Sequence, residues 1–158
     1  MVTAAQWKVS CDHAENHAEK DGVGDYKPYL RRFVASWAFR NALEDSGIKC
    51  PAPMSEDILV EGNTNVFQVK IIADRRDDKS LVSIPFDGKY YSDIYIYYDV
   101  NQMDEPWETF FLGACDERLM KHHGFFRNDT VYYYVNRLWP WQKFVHRLKH
   151  DLKGSQYG

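Results

Sequence analysis

Cysteine is scarce: Cys11, Cys50 and Cys115 are three thiols, odd in number, far apart and without a C-x-x-C pair. That argues against a disulfide framework and against a thiolate zinc site, and leaves the cysteines as small buried apolar groups. Glycine and proline are also few, at 9 and 6, so neither a collagen-like rod nor a low-complexity linker fits. Long apolar runs are missing too, since nothing approaches the roughly 18 residues of a membrane span. The first twenty residues lack the basic start and apolar stretch of a secretory signal, so a cytoplasmic protein that does not enter the membrane is expected. G-x-x-x-x-G-K, G-x-G-x-x-G and G-x-S-x-G are absent, which leaves nucleotide-fold and acyl-transfer chemistry unsupported.

What remains is an ordinary globular composition, 44% hydrophobic and 27% charged, in 158 residues: enough for one domain with its own core. The net charge of -3 hides a gradient. Residues 1–50 are balanced, residues 51–117 hold five basic and fourteen acidic groups, and residues 118–158 hold eight basic and two acidic ones. An acidic centre beside a basic, aromatic-rich segment can gather carboxylates for a cation while a second surface meets phosphates; two solvated faces are the plainer alternative.

Along the chain, residues 1–25 are polar and end in Asp21-Gly22-Val23-Gly24-Asp25, which predicts an N-terminal arm, disordered or briefly helical, ahead of a single domain over 26–158. Apolar positions Tyr29, Leu30, Phe33, Val34, Trp37, Ala38 and Leu43 recur at helical spacing, and Gly47 supplies a stop. Pro51 and Pro53 break the chain before two strands, Asp57 to Glu61 and Val66 to Ile72, joined at Gly62-Asn63. Two more strands are expected over 92–100 and 107–113, with a brief extended piece near 81–85. A short helix over 115–123, a strand over 130–135 and a helix beginning at Pro140 complete the order. Helix, strands, helix, strand, helix makes the fold class α/β (mixed α+β), with a central mixed sheet of about four to five strands flanked by helices.

The strand pair holds the informative residues. Asp57 begins the first strand, and Gln68 and Lys70, two apart on the second, face the same way because side chains alternate. A carboxylate, an amide oxygen and an ammonium meeting at one edge suit metal-assisted phosphodiester hydrolysis: hard oxygen ligands for the ion, and a cation near the attacking water or the developing charge. Each also has a structural role open to it, as a turn cap, a solvent-facing amide and an edge-strand charge that resists aggregation.

Asp57-x10-Gln68-Val69-Lys70 resembles the signature of the PD-(D/E)xK nucleases (restriction-endonuclease-like), in its Q-x-K variant, as in small phage and bacterial members. The order of elements over 29–112 is similar to that family's core, a helix ahead of two strands with further strands after them. The resemblance implies a DNA endonuclease or related hydrolase using Mg²⁺, with Mn²⁺ as an alternative. Asp57 and Gln68 would be ligands and Lys70 the catalytic cation. Gln68 removes one charge from the usual metal shell. The Glu that many members carry on the preceding helix is not matched around Phe39-Arg40-Asn41, so Glu44 is the candidate third ligand. A lapsed relative that only binds nucleic acid or a host protein is the rival expectation.

Tyr132, Tyr133, Tyr134, Trp139 and Trp141 are interleaved with Arg127, Arg137, Lys143, Arg147 and Lys149, a mixture that can stack on bases and neutralise phosphates. Arg137, Lys143, Arg147 and Lys149 are the candidate DNA contacts, and the aromatic surface leaves a homodimer open. Cys11, His13 and His17 have a metal-like spacing but no fourth ligand nearby, and His122-His123 are adjacent residues that cannot face one another on a helix.

Overall fold

The computed structural model describes residues 1–53, 57–74, 80–85 and 92–150. Four helices and seven strands occur among them, in a mixed α+β arrangement. Helices α1 (Ala4–Lys20) and α2 (Lys27–Asp45) precede strands β1 (Asp57–Glu61), β2 (Val66–Asp74) and β3 (Leu81–Pro85). Strands β4 (Ile94–Asn101) and β5 (Glu108–Asp116) follow, then helix α3 (Glu117–His123), strands β6 (Phe125–Arg127) and β7 (Thr130–Tyr134), and helix α4 (Trp141–His150).

Helix α2 carries the expected apolar spacing, has Pro28 in its first turn and buries Leu30, Phe33, Val34, Ala38, Phe39 and Leu43. It stops in a Schellman motif: the Ile48 N–H donates to the Leu43 carbonyl and the Gly47 N–H to that of Glu44. Gly47 sits at φ +82, a backbone region that costs any residue with a Cβ.

Residues 4–20, expected within a polar arm, form a 17-residue helix. Polarity misleads here because the packed stripe is made of small residues, Ser10, Ala14 and Ala18, all buried. The N-terminus is closed by a capping box between Thr3 and Gln6. Gln6 and Asn41 then exchange two side-chain hydrogen bonds, at 3.1 and 2.8 Å, tying α1 to the C-terminal part of α2.

The main sheet has the order β1-β2-β4-β5, with β1 antiparallel to β2, β2 parallel to β4 and β4 antiparallel to β5. The parallel step requires a crossover. Here the connection carries β3, which joins a second sheet of order β3-β7-β6. The strand expected over 130–135 therefore belongs to this second sheet and not to the central one. Alternate residues of the main sheet face two different layers. Ile58, Val60, Phe67, Val69, Ile71, Ile94, Ile96 and Tyr98 pack under α2 and α4. Tyr95, Tyr97 and Cys115 pack against Met120 of α3 and against Val82, Val131 and Tyr133 of the second sheet.

On β5 the register shifts opposite Tyr97 and Tyr98, leaving Leu112 as an extra residue beside Gly113. A Cβ at Gly113, where φ is +153, would collide with the Cβ of Leu138. The close approach lets Trp139 form a two-way backbone bridge with Ala114, at 2.8 and 3.0 Å, which covers part of the β5 edge. No helix among the described residues is long and apolar enough to cross a membrane.

Candidate functional site

The antiparallel register sets Asp57 opposite Lys70 and Leu59 opposite Gln68. Residues directly opposite one another share a face. Positions 57, 59, 68 and 70 thus lie on one face of the β1–β2 pair, away from the helices, while Ile58, Val60, Phe67 and Val69 are buried on the other. The side chain of Asp57 lies outside the described residues. Gln68 and Lys70 are both half-buried, and beside them Leu59 is 60% and Val66 52% exposed, so this end of the face is open to solvent.

Asp93, to which the sequence reading gave no role, is locked to Gln68. The Gln68 N–H donates to Asp93 Oδ2 at 2.8 Å, and the Asp93 N–H donates to the Gln68 carbonyl at 2.9 Å. This exchange fixes the start of β4 against β2 just before their ladder begins at Val69 and Ile94. A short polar residue ahead of a β-branched and aromatic run was the available signal, but no spacing rule ties position 93 to position 68.

Glu44 stands apart from this group. It lies near the end of α2, on the helix-covered side of the main sheet. Its Oε1 accepts a hydrogen bond from the Cys50 N–H at 3.1 Å and lies 3.8 Å from the Arg40 guanidinium. Glu44 therefore ties the loop after α2 to its last turn, and the structure does not bring it to the face of Gln68 and Lys70. Among the described residues no three His, Cys, Asp or Glu side chains gather in a way that would hold a metal ion. His13 and His17 each set their rings 5.3 Å from that of Phe33, packing α1 on α2.

The basic candidates separate in the same manner. Lys143 and Lys149 are exposed on α4, and Arg137 is exposed just after β7 with its guanidinium 5.6 Å from the centre of the Tyr134 ring. Arg147, expected on the solvent side of α4, is half-buried. It lies three residues from buried Phe144, on the margin of the apolar stripe, and stacks on Trp139 at 4.3 Å. From there its charge acts on Asp116, the N-cap of α3, whose side chain accepts the Leu119 N–H at 2.8 Å. Burial holds the Asp116 carboxyl above its ordinary range, and the Leu119 N–H, Arg147 and Arg118 offset part of that shift.

No family model, curated protein or solved structure matches this chain. Any function must therefore be argued from the arrangement of its own residues.

Proposed function

We propose that the protein is a small metal-dependent nuclease with a restriction-endonuclease-like core, hydrolysing DNA phosphodiester bonds on the face of the β1–β2 pair that carries Gln68 and Lys70. The observation that carries this reading is the register that aligns Asp57 with Lys70 and puts Gln68 on the same face. A helix ahead of the pair and the continuation of β2 by a parallel strand support the same core. Asp57 supplies the carboxylate and Gln68 the amide oxygen of a magnesium site, with Mn²⁺ able to take the same oxygen donors. Magnesium commonly keeps several waters and needs only one or two carboxylates, so a thin protein shell fits it chemically. An ion held by Asp57 and Gln68 would supply a more acidic water and offset charge on the phosphate. Lys70 positions the attacking water, or pairs with the charge that develops on the phosphate oxygens. Asp93 acts at one remove, holding the Gln68 backbone in place.

The test is cleavage of supercoiled plasmid, linear duplex and single-stranded DNA with Mg²⁺, Mn²⁺ or EDTA. Metal-dependent cutting that falls by a factor of about a hundred or more in both Asp57→Ala and Lys70→Ala is the expected result. Cutting that survives in both variants overturns the assignment of the site to Asp57 and Lys70, and no cutting on any substrate with either metal removes the hydrolase reading.

A second reading is favoured by the position of Glu44, whose carboxylate is engaged on the far side of the sheet. With that residue committed elsewhere, the same fold would serve as a binding module for nucleic acid or for a host protein. DNA binding that persists in EDTA without cleavage is its signature.

A further inference from the structure

The outer face of the second sheet carries a feature that neither the strand pair nor α4 explains. Phe125 of β6 is paired with Tyr132 of β7, and Arg127 with Thr130, so Phe125, Arg127, Tyr132 and Tyr134 alternate onto one face. Their neighbours Val131 and Tyr133 point into the core between the sheets. On the outer face the Phe125 and Tyr132 rings stack at 5.5 Å with planes 19° apart, and Tyr134 follows at 5.8 Å from Phe125. The Arg137 guanidinium closes the row over Tyr134. Phe125 is 39% and Tyr134 44% exposed, although rings this large commonly end in a core or an interface.

We infer that this outer face, formed by Phe125, Tyr132, Tyr134, Arg127 and Arg137, is a base-stacking platform for single-stranded nucleic acid. Three observations select this occupant. The rings already order one another, so a base stacking against the row meets aromatic surface whose ordering cost is paid in the folded protein. The face has a guanidinium at each end, Arg127 and Arg137, placed to meet the phosphates of a strand lying along it. Between Phe125 and Arg137 the charged residues are Arg127, Arg137 and a single acid, Asp129, a net positive balance that favours a polyanion. Paired bases in a duplex hide their π-faces, so single strands are the form such a surface selects.

The inference does not depend on hydrolysis at Asp57 and Lys70, and its test runs in EDTA. Fluorescence anisotropy with labelled single-stranded DNA and RNA oligonucleotides and with the corresponding duplex is measured for the full chain over a range of salt. The expected result is tighter binding to either single strand than to duplex, weakened about tenfold in Phe125→Ala and in Tyr134→Ala. Tyr134→Phe, which keeps the ring, retains binding, and Arg137→Gln lowers the salt dependence by about one ion contact. Thermal melts monitored by circular dichroism establish that each variant is folded. Equal affinity of the folded alanine variants and the wild type overturns the platform, as does the absence of single-strand binding at low salt. A concentration-dependent dimer abolished by the same alanine variants, without nucleic-acid binding, assigns the face to self-association and also overturns it. Binding read in EDTA, where metal-dependent cleavage is absent, separates this result from any failure of the nuclease reading.

Discussion

The two faces of the main sheet are built from different materials. Under α2 and α4 the layer consists mainly of aliphatic groups and phenylalanine: Ile58, Val60, Val69, Ile71 and Ile96 of the sheet meet Leu30, Val34, Phe39, Leu43, Phe144 and Leu148, all nearly free of solvent. On the other side, Tyr95, Tyr97 and Tyr133 are joined by Cys115 and Met120, and the layer is smaller. The helical face is mainly a packing problem solved by volume and shape, although it too buries a tyrosine of the sheet, Tyr98. The second face must also find partners for buried hydroxyls: the Tyr97 hydroxyl reaches the Met120 sulfur at 3.7 Å, and that of Tyr133 donates to the Arg137 carbonyl at 3.4 Å. Stability should therefore be concentrated on the helical side. The side holding the candidate ligand surfaces should be the easier to open.

The sharpest test of this contrast is truncation on each side. Phe39→Ala should cost about 3–5 kcal/mol, since it removes a fully buried ring that touches both Trp141 and Phe144. Met120→Ala, within the general range of about 2–5 kcal/mol, should cost less, because the smaller layer can relax around it. Urea unfolding of both variants measures the ranking, and a larger loss for Met120→Ala would reverse it.

A middle-sized effect is expected where the two faces meet the closing segment. Gly113→Ala pushes a Cβ into Leu138 and loads an unfavourable backbone angle. It should cost about 1–3 kcal/mol and loosen the Trp139 bridge. Faster hydrogen exchange at the Ala114 and Trp139 amides would report that loosening, and unchanged exchange would show that the bridge is independent of the glycine.

The smallest effect is electrostatic. Because Asp116 holds its proton more tightly folded than unfolded, the native state binds more protons above the ordinary carboxyl value of 3.8. Stability from this group is full below that value and declines as pH rises through the raised one. Asp116→Asn keeps a capping oxygen while removing the titration, so it should flatten that part of the stability profile. An identical slope in variant and wild type would show that Asp116 does not contribute to it.

Most elements were legible because their signals are local. Helix α2 announced itself by apolar spacing and Gly47, and β1 and β2 by a short turn between β-branched runs. Helix α1 was obscured because its contact stripe is made of Ser10, Ala14 and Ala18, residues that allow close approach without registering as hydrophobic. The second sheet was invisible as a unit, since β3 and β7 are far apart in sequence and β6 has three residues. In the candidate site, alternation alone put Gln68 and Lys70 on one face. The bond between Asp93 and Gln68 and the turn of Arg147 toward Trp139 depend on tertiary packing, which no spacing encodes. The charge of Glu44 on α2 is plain in the sequence, but which way that helix presents it is a matter of packing too.

The crossover between β2 and β4 has a consequence for the order in which the molecule can be assembled. The hairpin of β1 and β2 closes over a short turn, but among the described residues β3 pairs with β7 alone, so Leu81 must wait for Tyr134. Closing so long a loop is slow relative to hairpin formation. As the chain leaves the ribosome, the tyrosine face of β4 has only Met120 of α3 to cover it until Val131 and Tyr133 of β7 have emerged. A nascent or prematurely ended chain would therefore expose Tyr95 and Tyr97, making this face the surface that folding assistants and proteases meet first.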